Sequence, residues 1–225
     1  MSSLVSISDS YEKNNVKDVY NIIAQEFTNS RPFQWYWIYD FIHTNNKFNN
    51  EIDDCIIYDI GCGSGRNMST HKEKIKFIGF DFSQSFVDIC KKEKLEVYLS
   101  DMTELPVKDE SCHHIISIAS FHHLSTIERR KSCLNEMIRV LKNKKESRIL
   151  LSVWSKTQPK KSKNFNKFTY GDNIVTWNKI YNRYYYIFSK KELEELFKDV
   201  GLEVEKHEWI YGNEIYTLMK RERDE

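Results

Sequence analysis

Three glycines at alternate positions, Gly61, Gly63 and Gly65, follow a carboxylate at Asp59 and a short apolar run over residues 55–58. Glycine at that spacing lets the backbone turn sharply and keeps side chains out of a ligand's way. A second apolar run, residues 75–80, closes on another carboxylate, Asp81, twenty residues after Gly61. A strand, a glycine turn, a helix start and a second strand ending in an acid describe a nucleoside-binding βαβ unit.

The spacing discriminates among nucleosides. Dinucleotide sites favour Gly-x-Gly-x-x-Gly and place a pyrophosphate at the helix N-terminus. Here the pattern is Gly-x-Gly-x-Gly, and Asp59 stands two residues ahead of it, where its charge repels a pyrophosphate and suits a cation. S-adenosylmethionine carries an ammonium and a sulfonium and no phosphate. The run Asp59-Ile60-Gly61-Cys62-Gly63-Ser64-Gly65 resembles motif I of the class I methyltransferases. That resemblance implies a cofactor site of Asp59, Gly61, Gly63, Gly65 and Asp81, with Asp59 toward the methionine ammonium and Asp81 on the ribose. It also implies that Asp101 accepts from the adenine amino group and that the backbone of Met102 meets the ring. Where many methyltransferases have Phe-Asp before strand 4, this chain has Cys112-His113.

A second constellation, Phe121-His122-His123-Leu124-Ser125-Thr126-Ile127-Glu128-Arg129-Arg130, follows the apolar run 115–119. Ligands of open α/β sheets bind beyond the C-terminal strand ends, so this segment should border the reacting centre. Arg129 has the planar fork that grips a carboxylate, and His123 is a hydrogen-bonding partner. From spacing alone, Glu128, Arg129 and Arg130 also read as a charged helix face. Together with Ser30-Arg31, Trp154 and Arg183-Tyr184-Tyr185, the segment resembles the eukaryotic tRNA methyltransferases that esterify 5-carboxymethyluridine at the wobble position. The resemblance runs from about Val19 onwards. It implies Arg129 as the first carboxylate ligand, with His123, Arg31 and Arg183 beside it, and Trp154, Tyr184 and Tyr185 as surfaces for the base. A loop carrying Lys156, Lys160, Lys161, Lys163 and Lys167 and no acid reads equally as a contact to the RNA backbone near the anticodon loop, Lys160 and Lys161 foremost, and as a solvated loop. A small-molecule methyltransferase and a non-catalytic S-adenosylmethionine-binding subunit are the competing readings.

The elements that must position these residues are legible as patterns. Val16, Val19, Tyr20, Ile23 and Phe27 form one helical stripe, and residues 35–41 a dense aromatic helix. Strands are expected at 55–60, 76–81, 95–100, 115–119, 148–154, 203–209 and 214–220, the last two joined as a hairpin. Ser83 and Ser189 read as helix caps, and a further helix spans 126–141. The alternation of strand and helix demands an α/β fold with a mainly parallel sheet covered on both faces. The methyltransferase resemblance gives it seven strands in the order 3-2-1-4-5-7-6, strand 7 antiparallel. At 225 residues the chain reads as a single domain, with helices in residues 1–50 and an insertion at 156–180.

In that order strand 3 is an edge, and Leu95, Val97 and Leu99, alternating with Glu96, Tyr98 and Ser100, make it fairly apolar. The tRNA methyltransferase resemblance implies a cover, a small zinc-binding activator protein that pairs with this edge. Within the chain itself, five cysteines without a Cys-x-x-Cys pair suggest neither a disulfide framework nor a zinc site, and the His113-His114 and His122-His123 pairs lack a completing acid. Net charge of +1 announces no global nucleic-acid binder. No stretch approaches the ~18 apolar residues of a spanning helix, and the first fifteen residues lack a secretory h-region. Both points favour a cytoplasmic protein, with the nucleus left open.

Overall fold

The computed structural model describes residues 10–31, 34–45, 55–68 and 75–221. Seven strands form the main sheet: β1 (Ile56–Ile60), β2 (Lys76–Asp81), β3 (Val97–Leu99), β4 (His114–Ile118), β5 (Arg148–Trp154), β8 (Leu202–Ile210) and β9 (Asn213–Lys220). Their spatial order is β3-β2-β1-β4-β5-β9-β8. β9 runs antiparallel to both β5 and β8, and the other neighbours are parallel. Numbered within this sheet alone, that is the expected order 3-2-1-4-5-7-6.

The central strands are continuous apolar runs because both faces are covered. Successive residues point to opposite sides. Tyr58, Ile115 and Leu151 enter one core with α4 (Ile127–Val140) and α5 (Lys190–Asp199). Their neighbours Ile57, Ile116 and Leu150 enter another with α2 (Tyr36–Asn45) and α3 (Gln84–Lys92). On α2, Trp37, Ile38, Phe41 and Ile42 are buried, one stripe against the sheet. The Ser83 side chain caps α3, and Ser189 with Glu192 makes a capping box on α5.

A π-helical turn, Lys13–Lys17, runs into α1 (Asp18–Asn29). The expected stripe of α1 is real: Val16, Val19, Tyr20 and Ile23 are buried in a core shared with Phe86 of α3 and Trp177. β8 and β9 meet through Tyr211 and Gly212, both at positive φ (47° and 81°), as a two-residue hairpin turn with mirror-image geometry requires.

The segment expected as a plain insertion is a second sheet. β6 (Gly171–Trp177) and β7 (Tyr181–Ile187) pair antiparallel and apart from the main sheet. The hairpin therefore carries the inserted structure past Ile180 to Ile187. Its turn holds Asn178 and Lys179 at positive φ without a glycine, so the sequence lacks the usual hairpin signal. β7 has a direct consequence for the site. Alternation sends Arg183 and Tyr185 to one face and Tyr184 and Tyr186 to the other.

Candidate active site

The strand order reverses between β1 and β4, and a cavity of about 340 Å³ opens beyond the C-terminal ends of these strands. Its floor is the glycine turn. Gly61 and Cys62 donate their N–H groups to the Phe80 carbonyl at 2.8 and 3.1 Å, which ties the turn to β2. At Gly61, φ is +77° and a Cβ would lie 2.3 Å from Ser120 Cβ, so no other residue fits. At Gly63 a Cβ would meet nothing within 4 Å, because that position faces the cavity. Gly65 differs: it does not line the cavity, and a Cβ there would strike Leu95 Cδ1 at 2.4 Å. It is a packing glycine.

Asp81 closes β2 beside the turn. Its Oδ2 accepts from Gly63 N–H at 2.8 Å and its Oδ1 from Ser83 N–H at 2.9 Å. Burial pushes its carboxyl up to about 6, and those backbone donors hold it down. Asp101 and Met102 line the same end. Asp101 is buried enough to raise its carboxyl, but the Arg129 charge and the Thr103 donors win and hold it below the usual range. Asp59 lies behind the turn, fully buried and outside the cavity lining. Neither of its oxygens has a hydrogen-bond partner among the described residues. Burial, with the Asp81 charge adding to it, raises it to about 7.

The other end of the cavity is cationic and aromatic. Among the described residues its lining acids are Glu12, Asp81 and Asp101 alone, all on the side of the glycine turn and Arg129. Arg31, Lys163, Trp154 and Tyr185 line the cavity as well, and so does Arg66, whose pKa is drawn down by burial and by the Arg31 charge. The Arg31 guanidinium lies 3.9 Å from the Phe27 ring centroid and 5.2 Å from that of Trp177. Burial draws its pKa down from the ordinary arginine value, and the neighbouring Arg183 charge acts in the same direction. Trp154 and Tyr185 stack with centroids 4.4 Å apart and planes 25° apart. Two cations side by side, with no acid paired to either among the described residues, invite an anion.

A methyltransferase-domain family model matches residues 57–144, the stretch from β1 through the end of α4. The chain is 34% identical over 168 residues to the mouse tRNA (carboxymethyluridine(34)-5-O)-methyltransferase ALKBH8, covering 75% of this chain and 24% of that protein. The chain thus spans about a quarter of that relative. A candidate methyltransferase of Encephalitozoon cuniculi is 30% identical over 203 residues, which cover 88% of this chain and 91% of that one. This chain belongs to the methyltransferase family. Among solved structures, a methyltransferase in complex with the Haloferax volcanii Trm112 activator shares the fold, with a TM-score of 0.65 at 17% identity over 93% of this chain and 99% of that one.

The methyltransferase's own residues fit S-adenosylmethionine. An unpartnered carboxylate at Asp59 lies beneath the turn, Gly63 leaves open space above it, and Asp81 stands at the strand end. These groups suit a cationic ligand bearing a ribose.

Several expected residues sit differently from their sequence reading. Arg129 is not left to hold an acceptor acid. Its Nε donates to Glu12 Oε2 at 2.8 Å and its Nη2 to Asp101 Oδ2 at 2.6 Å, so its fork is taken at the cofactor end. Tyr184 presents no face for a base. It is 1% exposed, its hydroxyl donates to Asp172 Oδ1 at 2.7 Å, and its ring is packed in the α1 core. Arg183 is 1% exposed and stands behind the cavity wall, with its Nη1 on the Tyr20 hydroxyl at 3.2 Å. His123 does line the cavity, but both ring nitrogens are occupied, Nδ1 by the Tyr184 carbonyl at 2.6 Å and Nε2 by the Tyr20 hydroxyl at 3.0 Å. Burial lowers it to about 3, so it is neutral. Lys160 and Lys161 are exposed, and Lys163 is the loop lysine that reaches the cavity.

Two participants escaped the sequence reading. Tyr20 was visible only as one apolar position of a stripe, although a buried tyrosine in such a stripe must place its hydroxyl somewhere. Glu12 precedes the stripe and carries no local signal. It becomes a site residue only because the segment leading into α1 reaches the start of α4, where its Oε1 accepts from Ser125 N–H at 2.6 Å. Among the described residues no group of three or more His, Cys, Asp or Glu is placed to hold a metal, and the five cysteines are free thiols.

Proposed function

We propose that this methyltransferase transfers the methyl group of S-adenosylmethionine to the carboxylate of 5-carboxymethyluridine at the wobble position of tRNA, giving the methyl ester. The observation that carries this reading is the polarity of one cavity. An acid-lined end suits a cationic donor, and an end with Arg31 and a Trp154–Tyr185 stack suits an anion attached to a planar base. The similarity to a relative named for this reaction supports it.

The cofactor supplies an electrophilic methyl carbon on a positively charged sulfur. A carboxylate oxygen of the acceptor forms the new O–C bond as the C–S bond breaks, and the sulfur keeps the electron pair. No proton moves. An acid with a pKa near ~4 is already ionised at neutral pH, so no general base is required. His123 fits that requirement, because it is neutral and both nitrogens are engaged. The work of the protein is to align the acid with the methyl carbon at about 3–3.5 Å. Arg31, the lining guanidinium nearest Tyr20 and Tyr185, serves for the acid, and the Trp154–Tyr185 stack as the surface beside the base. Transfer neutralises both charges, so the aromatic walls that exclude water favour it. The neutral ester then loses its attraction to Arg31, which helps release it.

Lys163 at the cavity and the exposed Lys160 and Lys161 of the same loop would meet the phosphates of the anticodon loop. The edge strand β3 exposes Tyr98 and Leu99 and suits an added strand from a small zinc-binding activator. Cytoplasmic tRNA is the corresponding substrate pool.

The test is mass spectrometry of wobble nucleosides after incubation of tRNA bearing carboxymethyluridine with labelled cofactor, with and without activator. One labelled, alkali-labile methyl per target uridine is expected, with at least a tenfold loss for Arg31→Ala. A protein that binds the cofactor yet labels no tRNA under either condition refutes the proposal.

A further inference from the structure

We infer that Tyr20 is a positioning residue for methyl transfer, its buried hydroxyl fixing His123, Tyr185 and Arg183 as one hydrogen-bonded unit behind the acceptor. The inference rests on the carboxylate-acceptor reading above.

The Tyr20 oxygen lies 3.0 Å from His123 Nε2, 3.2 Å from Arg183 Nη1 and 3.2 Å from the Tyr185 oxygen. Its two ends determine every proton in this unit. The Tyr184 carbonyl accepts only, so His123 Nδ1 carries the hydrogen, and in the buried neutral ring Nε2 is then a lone pair. Nε2 must therefore accept the Tyr20 proton. At the other end a guanidinium donates only, so Arg183 occupies one lone pair of the Tyr20 oxygen. With that proton spent on His123, the contact to Tyr185 can form only if Tyr185 donates. Tyr20 thus gives one hydrogen bond and takes two, which saturates it.

The consequence reaches the cavity. The Tyr185 proton is committed to Tyr20 and its oxygen also meets Arg183, so Tyr185 has no donor to offer the cavity. An acid there finds its donor in Arg31. The Tyr20 hydroxyl thereby keeps a competing donor away from the nucleophile. The unit is also held rigidly. Tyr20 is 7% exposed, and its ring meets Phe27 edge-on at 5.3 Å and His123 at 5.2 Å. Arg183 is enclosed by the rings of Tyr20, Tyr185 and Trp177, with centroids 5.2–5.7 Å from its guanidinium carbon. Its Nε has no partner among the described residues, so the Tyr20 oxygen is a main anchor of that fork.

Tyr20→Phe keeps the ring and removes only the hydroxyl. With methyl-ester formation on carboxymethyluridine tRNA as the assay, kcat should fall 10- to 100-fold. KM for tRNA should stay the same or drop, because the freed Tyr185 proton can now bind the acid in the ground state. Cofactor Kd should stay within about twofold. In an Arg183→Gln background the same change should cost less than threefold, since the unit is already broken. Tyr185→Phe, which removes one arm and leaves the Tyr20–His123 bond, keeps the test open if Tyr20→Phe folds poorly, and a loss of 3- to 10-fold is expected. An unchanged kcat in Tyr20→Phe, or costs that multiply fully with Arg183→Gln, overturns the inference. If the wild-type protein makes no ester, the functional reading has failed instead.

Discussion

Arg129 and Asp101 are bound to each other across the cofactor end of the cavity, Nη2 to Oδ2 at 2.6 Å, and Glu12 holds the guanidinium from the other side. The three groups join the loop after β3, the first turn of α4 and the segment leading into α1. An arginine that the family resemblance assigns to the acceptor thus closes the cofactor pocket.

Arg129→Ala should accordingly weaken cofactor binding. It strands Glu12, which is 3% exposed, and frees Asp101 to turn. Leaving such a buried acid without its partner costs about 2 kcal/mol of stability. Titration should show cofactor Kd raised at least tenfold, with a lower Tm. If Kd is unchanged and only tRNA turnover drops, Arg129 serves the acceptor after all.

Asp59 should make stability depend on pH. Burial raises its carboxyl to about 7, against ~3.9 in an unfolded chain. Between those values the folded protein holds a proton that the unfolded chain has released. Stability from this group therefore falls as pH rises through the window and levels off above about 7. A gap of about three pKa units amounts to roughly 4 kcal/mol. Asp81, raised to about 6, acts in the same sense, so the difference between wild type and Asp59→Asn isolates Asp59. The Tm of Asp59→Asn should overtake that of the wild type between pH 5 and pH 8. A cationic ligand reverses the preference and favours the ionised acid, so cofactor affinity should rise from pH 6 to pH 8 with proton release. Calorimetry in buffers of different ionisation enthalpy checks this, and an affinity flat across the range would count against the role of Asp59.

The β3 edge should be separable from catalysis. Leu99 is 49% exposed at the end of the strand. A charge on an edge strand blocks pairing with another chain. Leu99→Lys should abolish co-elution with a strand-donating activator while cofactor affinity changes less than twofold. Retained co-elution would move the docking surface elsewhere.

Much of the scaffold was legible because its rules are local. The Ser83 and Ser189 caps, the apolar runs of β1, β2, β4 and β5 and the stripe of α1 are one-dimensional patterns, and each appears within a few residues of its expected place. The β6–β7 hairpin was missed because its turn uses Asn178 and Lys179 where a glycine would have signalled it.

The sequence by itself determined the cofactor end. Gly61, Gly63 and Asp81 lie within one βαβ unit, where backbone geometry ties residue type to position. Only the tertiary structure decided which guanidinium lines the cavity without an acid of its own among the described residues. Arg31, Arg129 and Arg183 look alike in sequence, since a guanidinium's role depends on what lies within about 3 Å of it. Folding brings Glu12 across 117 positions to Arg129 and Tyr20 across 163 positions to Arg183, and leaves Arg31 facing the cavity. Those distances along the chain are invisible to any local pattern, and they divide three equivalent cations into a clamp, a buried anchor and a cavity-lining group.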